Sequence, residues 1–295
     1  MPEKLPVVAM MYDFDKTLST KDMQEYSFIP KLGLTAQEFW EQSNALAKRE
    51  KMDRILAYMY MMVRMSQDKH QSIRREDFVS LGREIQLYPG VEDWFERMND
   101  FGLKHGVKVE HYLISSGLKE IVEGCPIFGQ FKQVYASEFH YDENGVAVWP
   151  KLAVNYTAKT QFLFRINKGV LDISNDLDLN RSIPDELRPV PFRNMIYIGD
   201  GLTDVPCMKL VKLNRGQSLA VYKKDKETVN SLLTDKRVDL IAPADYREGK
   251  KLDTLVKMIL EKMALMSHLA TEHQKQKKQI RRAQDKKAGA GKKDT

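Results

Sequence analysis

Cysteine is scarce: 295 residues hold only Cys125 and Cys207. Two thiols cannot build a disulfide framework, and these two have no metal-ligand spacing, so they read as buried thiols in a reducing compartment. The six histidines (70, 105, 111, 140, 268 and 273) are scattered in the same way, which excludes a histidine-ligated metal module. Long apolar runs are also missing. The longest, "ILAYMYMMV", has nine residues, too short to span a bilayer. The opening "MPEKLPVVAMMYDF" lacks the pattern of a secretory leader because its apolar run ends in carboxylates. A cytoplasmic protein without membrane insertion is the expectation.

A basic excess in the body is lacking too, although the formal charge is +6. Residues 271–295 hold nine Lys or Arg against three acids, a net of +6, so the other 270 residues are balanced. This tail has one aliphatic residue, Ile280, besides its alanines, and reads as a basic, disordered, solvated appendage over 269–295, with at most a frayed helix. Nucleic acid or an anionic surface is a partner that only this tail would reach.

The rest alternates strand and helix. "LPVVAMMYD" is an unbroken apolar run bounded by Pro6 and Asp13, the mark of a strand buried on both faces of a parallel sheet. "VEHYLISSG", "RNMIYIGDG", "QSLAVY" and "VDLIAP" read likewise, "VYASEFHYDENGVAVW" as a strand and hairpin about "DENG", and "TAKTQFLFRINKG" and "LDTLVKMILEKMALMSHLA" as helices. Residues 21–86 differ: they show only helical spacing, with Thr35 and Ser72 as N-terminal punctuation. The reading is an α/β fold: a doubly wound, Rossmann-like core over 1–20 and 87–268, with an all-helical domain over 21–86 let in after the first strand.

Such sheets bind ligands at the carboxyl ends of their strands. Three predicted strand ends carry polar residues: Asp13 and Asp15, Ser115 and Ser116, and Asp200 with Asp204. Four carboxylates gathered at one edge repel one another unless a cation neutralises them, and all-oxygen ligation favours Mg²⁺. Mg²⁺ beside a carboxylate nucleophile suits phosphoryl transfer.

"DFDKT", "YLISSG", Lys159 in "TAKTQF" and "IGDGLTD" resemble, in order, the four motifs of the haloacid dehalogenase-like phosphohydrolases, and most nearly those of their phosphoserine-phosphatase-like branch. The insertion resembles that branch's helical cap. The resemblance implies Asp13 as nucleophile forming an aspartyl-phosphate, Asp15 as acid and then base, and Thr17 bracing Asp15. It implies Ser115 as a donor to a phosphoryl oxygen, and Lys159 as the fixed cation, for which Lys151 is the rival. Mg²⁺ is then held by Asp13, the backbone carbonyl of Asp15 and Asp200, with Asp204 orienting the metal's waters or Lys159. A carboxylate at position 15 points to phosphate esters, whose leaving oxygen needs a proton. The expected activity is hydrolysis of a small phosphorylated metabolite, and the alternative is phosphotransfer through the same intermediate.

Substrate choice falls to the cap. By resemblance to phosphoserine phosphatases, Glu25 would take a substrate amine and Arg54 or Arg64 a carboxylate, against a plain reading as solvated surface charges; Asp22 and Gln24 lie in the same stretch. Ser115, Ser116 and Gly117 form the phosphate-side loop, where Ser116 replaces the Gly of that branch and weakens a phosphoserine assignment. Met52, Met59, Met61, Met62 and Met65 either line a pocket or fill the cap core. The polar segment from Ser174 to Phe192 reads as a flap or a plain insertion.

Overall fold

The computed structural model describes residues 5–25, 29, 33–68, 73–224 and 226–290. Strand β1 (Val7–Tyr12) lies mid-sheet, parallel to β2 (Lys108–Leu118) on one side and β5 (Met195–Gly199) on the other. Adding β3 (Gln133–Tyr141), β4 (Ala147–Leu152), β6 (Gln217–Tyr222) and β7 (Leu240–Pro243) gives seven strands in the order β4-β3-β2-β1-β5-β6-β7. Only β4 is antiparallel, returning from β3 through the expected turn closed by Gly145 N–H on the Asp142 carbonyl.

The apolar run of β1 works as the sequence implies. Val8, Met10 and Tyr12 enter one core while Ala9 and Met11 enter the core on the opposite face, all with no exposure. Withdrawing a Val or Met side chain such as Val8, Met10 or Met11 from water contributes roughly 1.5–3 kcal/mol. The first core is covered by helix α4 (Val91–Lys104) and the closing helix α10 (Lys251–Ala290), and the second by α6 (Lys159–Lys168), α8 (Val205–Leu213) and α9 (Glu227–Thr234). Cys125 and Cys207 are buried free thiols.

The insertion leaves and rejoins the core through two adjacent strips of chain. Ser19 bridges Leu87, Thr20 N–H donates to the Gln86 carbonyl (2.9 Å) and Tyr88 N–H to the Leu18 carbonyl (2.9 Å). Its helices are α1 (Ala36–Glu50), α2 (Arg54–Asp68) and α3 (Arg75–Leu81). Thr35 caps α1 in a reciprocal box with Glu38, as its position suggests. Asp53 caps α2, its Oδ1 accepting from Ile55 N (2.8 Å) and Leu56 N (3.1 Å). Ser72 lies outside the described residues; α3 begins after Arg74, which makes no side-chain cap.

The insertion over 21–86 divides in two. Helices α1 and α2 pack on each other, with α2 also touching β4, whereas α3 packs on α5 (Lys119–Glu123) of the core. Ala147 N–H bonds the Ile73 carbonyl, Phe78 stacks on Phe139, and Gly82 meets α5 and Gly124 so closely that a Cβ would collide with backbone. Met59 and Met62 are fully buried and Met61 nearly so, Met65 packs against the same core, and none of the five cap methionines lines the cavity described below.

Two further differences concern the C-terminal half. The segment from Ser174 to Phe192 folds into α7 (Asp176–Asn180) and short 3-10 turns, tied to α6 by Arg165, and does not line the cavity. The stretch expected as a disordered tail from 269 continues α10 to Ala290. It has no Gly or Pro before Gly289 and is rich in Lys, Gln, Arg and Ala, so propensity carries the helix onward, although Lys275 to Gln284 are all exposed. Among the described residues no helix is long and apolar enough to cross a membrane.

Candidate active site

Asp13 follows β1 directly, its N–H donating to the Ile198 carbonyl (2.9 Å), so the sheet itself delivers this carboxylate. The chain then turns sharply: Thr17, Leu18 and Ser19 all donate their N–H to the Phe14 carbonyl, and Lys16 adopts a left-handed φ of 56°. Asp15 therefore reaches the cavity from a turn. Its Oδ1 accepts from Met23 N (2.7 Å), the first residue of the short 3-10 helix Met23–Glu25. The expected brace from Thr17 is not made: Thr17 Oγ1 is buried without a partner, and the Met23 amide holds Asp15 in its place.

Of the two candidate lysines, Lys159 is the one the fold brings in. It stands at the first turn of α6, 1% exposed, and its Nζ donates to Asp13 Oδ1 (2.9 Å) and Asp204 Oδ1 (2.8 Å). Lys151 pairs instead with Glu138 (2.9 Å) at the surface. Asp200 follows β5, and Asp204 stands just before α8, where Tyr197 Oη also donates to its Oδ1 (2.8 Å). Gly199 is required here, because a Cβ would lie 2.4 Å from Asp204 Oδ2.

The electrostatics are those of a crowded acidic nest. Burial, then Asp204, raise the Asp13 carboxyl to about 6 against the pull of Lys159. Burial, then Asp204 and Asp13, raise Asp200 to about 8, and Asp15 is raised well above the ordinary carboxylate range by burial and by Asp22 and Asp13. Burial alone would lower Lys159, but Asp13 and Asp204 outweigh it and keep the ammonium charged.

Oxygens of Asp13, Asp200 and Asp204 lie within 4.8 Å of one another, and Asp204 Oδ2 is buried with no hydrogen-bond partner. A cluster of three carboxylates with one unsatisfied oxygen fits a hard divalent cation, and the all-oxygen set suits Mg²⁺. The side chain of Asp15 is outside this group.

The pH dependence follows in sign. Carboxylates whose folded pKa is raised contribute stability that is whole below about pH 3.8 and is lost as pH climbs, through about 6 for Asp13 and about 8 for Asp200. The melting temperature of the metal-free protein should fall between pH 5 and 8.5, and the rise produced by Mg²⁺ should grow over the same interval. Calorimetry at matched ionic strength checks this; a Mg²⁺ shift independent of pH would contradict it.

A cavity of about 510 Å³ opens above these groups, lined by core residues Asp13, Asp15, Lys159 and Asp200 and by Trp40, Asn44, Arg54 and Tyr58 of the insertion. The residues read as substrate-binding divide. Ser116 and Gly117 line it, and Ser116 Oγ is buried without a partner; Ser115 is fully buried, accepts from Gly117 N (3.0 Å) and is not part of the lining. Asp22 and Gln24 line it and Glu25 does not; Arg54 lines it, whereas Arg64 points outward to Tyr60 and Asp68. Sequence reasoning missed Tyr197, Trp40, Tyr58 and Asn155, which read locally as core aromatics or loop.

The sequence model of the haloacid dehalogenase-like hydrolases matches residues 10–209, which include Asp13, Asp15, Lys159, Asp200 and Asp204. The chain belongs to that family. Relatives of this HAD hydrolase include an uncharacterized protein of Borreliella burgdorferi, 24% identical over 292 residues that span 90% of this chain and 99% of the relative. A HAD family hydrolase from Salmonella enterica serovar Typhi shares the fold with a TM-score of 0.57 at 16% identity, over 88% of this chain and 73% of that one. A phosphoserine phosphatase solved with substrate bound gives 0.55 at 14% identity, over 87% and 99%. Another, solved with an analogue of its phospho-aspartyl intermediate, gives 0.54 at 14%, over 86% and 99%. The doubly wound α/β core expected from the strand pattern is a seven-stranded, mostly parallel sheet, and the HAD fold that the motif resemblance implied is the fold of the family.

Proposed function

We propose that this HAD hydrolase is a Mg²⁺-dependent phosphomonoesterase acting on a small metabolite through an aspartyl-phosphate. The observation that carries the reading is the buried Lys159 ammonium between Asp13 (2.9 Å) and Asp204 (2.8 Å), with Asp15 held on the cavity side by the Met23 amide. Asp13 attacks phosphorus as the ester P–O bond breaks, and Asp15 donates its proton to the departing oxygen. The raised pKa of Asp15 keeps that proton available. Asp15, now ionised, takes a proton from water, which attacks phosphorus; the bond to Asp13 breaks and inorganic phosphate leaves. Lys159 holds Asp13 in line and offsets the charge that builds on the phosphoryl oxygens. Asp13, Asp200 and Asp204 would hold Mg²⁺, which would supply further charge compensation for those oxygens. The raised Asp13 pKa is that of the metal-free site, and a bound cation lowers it.

The test is phosphate release from p-nitrophenyl phosphate at neutral pH. Release should stop on chelation and return with excess Mg²⁺. Turnover that persists in chelator removes the metal from the reaction. With labelled substrate and added alcohols, label in inorganic phosphate supports hydrolysis, and label on the alcohol supports the phosphotransferase alternative.

A further inference from the structure

Helix α2 is clasped to the core at two points on either side of Arg54 and Ile55, which line the cavity. On one side Tyr58 Oη donates to the Ser116 carbonyl (2.8 Å), which also accepts from Ser137 Oγ (3.1 Å). On the other, Asn155 Nδ2 donates to Asp53 Oδ2 (2.7 Å). Both groups of this second pair are fully engaged. Asp53 Oδ1 caps α2, and Asn155 Oδ1 accepts from Ala158 N (2.9 Å) while the Asn155 carbonyl accepts from Lys159 N (3.1 Å). An unbroken chain of hydrogen bonds therefore runs from the first turn of a cap helix, through one asparagine, to the turn that presents Lys159 to Asp13 and Asp204.

We propose that the Asp53–Asn155 pair couples the position of the cap to the position of Lys159, so that the site is assembled only when the cap is seated. Asp53 and Asn155 are positioning residues, since neither touches the reacting atoms. The proposal rests on the phosphomonoesterase reading for its kinetic consequence but not for its structural one. Cap seating excludes bulk water from the carboxylates, and small displacements of an aligned group are costly in rate.

The chemistry of the pair supplies a test with its own rescue. Asp53→Asn sets an amide N–H against the Asn155 amide N–H, or surrenders the α2 cap if it flips. Asn155→Asp sets two carboxylates against each other while keeping the acceptor for Ala158 N. The double exchange Asp53→Asn with Asn155→Asp restores one donor and one acceptor in reversed order and keeps both the α2 cap and the acceptor for Ala158 N. In the full chain, each single variant should raise amide hydrogen exchange in residues 53–58 and in residues 157–161 together, and the double should return both toward the parent. With p-nitrophenyl phosphate and Mg²⁺, each single should lower kcat about tenfold with KM changed less than about threefold, and the double should recover to within about threefold. Exchange that rises in one segment alone, or a double variant no better than the singles, overturns the coupling. A parent protein without turnover counts against the phosphatase reading only, and the exchange data still decide the coupling.

Discussion

Asp13→Asn should abolish Mg²⁺-dependent phosphate release, lowering kcat by about 10⁴-fold or more, as expected when a group that forms the covalent intermediate is lost. An amide at this position keeps the shape and the sheet bond to the Ile198 carbonyl, so the loss reports chemistry and not folding. A second effect goes the opposite way. The Asp13 carboxyl is buried and pushed up to about 6, so at pH 8 its ionisation weakens the metal-free fold; the amide removes that cost. The metal-free variant should melt higher than the parent at pH 8, equal it near pH 4, and gain less from Mg²⁺. Steady-state kinetics and calorimetry on the same preparations check both halves. Turnover surviving in Asp13→Asn would remove this residue as the nucleophile.

Lys159→Met should be the most destabilising of the single changes in the site. The ammonium is 1% exposed and bonded to two carboxylates, so its removal leaves Asp13 and Asp204 facing each other without their shared cation. Breaking a buried pair by deleting one partner costs about 3–5 kcal/mol, a fall in melting temperature on the order of 10 °C for a chain of this size. Because a divalent cation can replace the missing positive charge, Mg²⁺ should recover more stability in this variant than in the parent, while turnover stays low for want of the charge beside Asp13. Lys159→Arg should not rescue, since a planar guanidinium does not fit a point-charge site between two carboxylates. Lys151→Met is the control: its pair with Glu138 is half exposed, and such pairs contribute about 0–1 kcal/mol. Equal losses at 151 and 159 would refute the assignment of Lys159.

The basic extension is a separate matter from the site. The sequence offers nucleic acid or an anionic surface as its partner, and its residues from Lys275 to Gln284 form an exposed continuation of α10. Its contribution to any docking is proposed through charge alone, with the steep salt dependence that such binding carries.

The sequence by itself determined the sheet and the carboxylates that follow its central strands. Unbroken apolar runs such as "VVAMMY" and "MIYIG" can satisfy their side chains only when buried on both faces, and each ends in a carboxylate because the ligand edge of a parallel sheet is where its strands stop. Thr35 announced α1, and "DENG" announced the hairpin, because caps and tight turns are local chemistry. What local pattern could not contain, the tertiary structure decided. It chose Lys159 over Lys151 because Lys159, at the first turn of α6, reaches Asp13 and Asp204, a contact between residues 146 apart in the chain in the case of Asp13. It took the support of Asp15 from Thr17 and gave it to the Met23 amide, because a hydrogen bond is settled by the direction in which a turn aims its donors. It also joined Asp53 to Asn155 and Tyr58 to Ser116, contacts between polar or aromatic residues that carry no signal in either segment alone. Such pairs exist only once the insertion has folded back over the sheet.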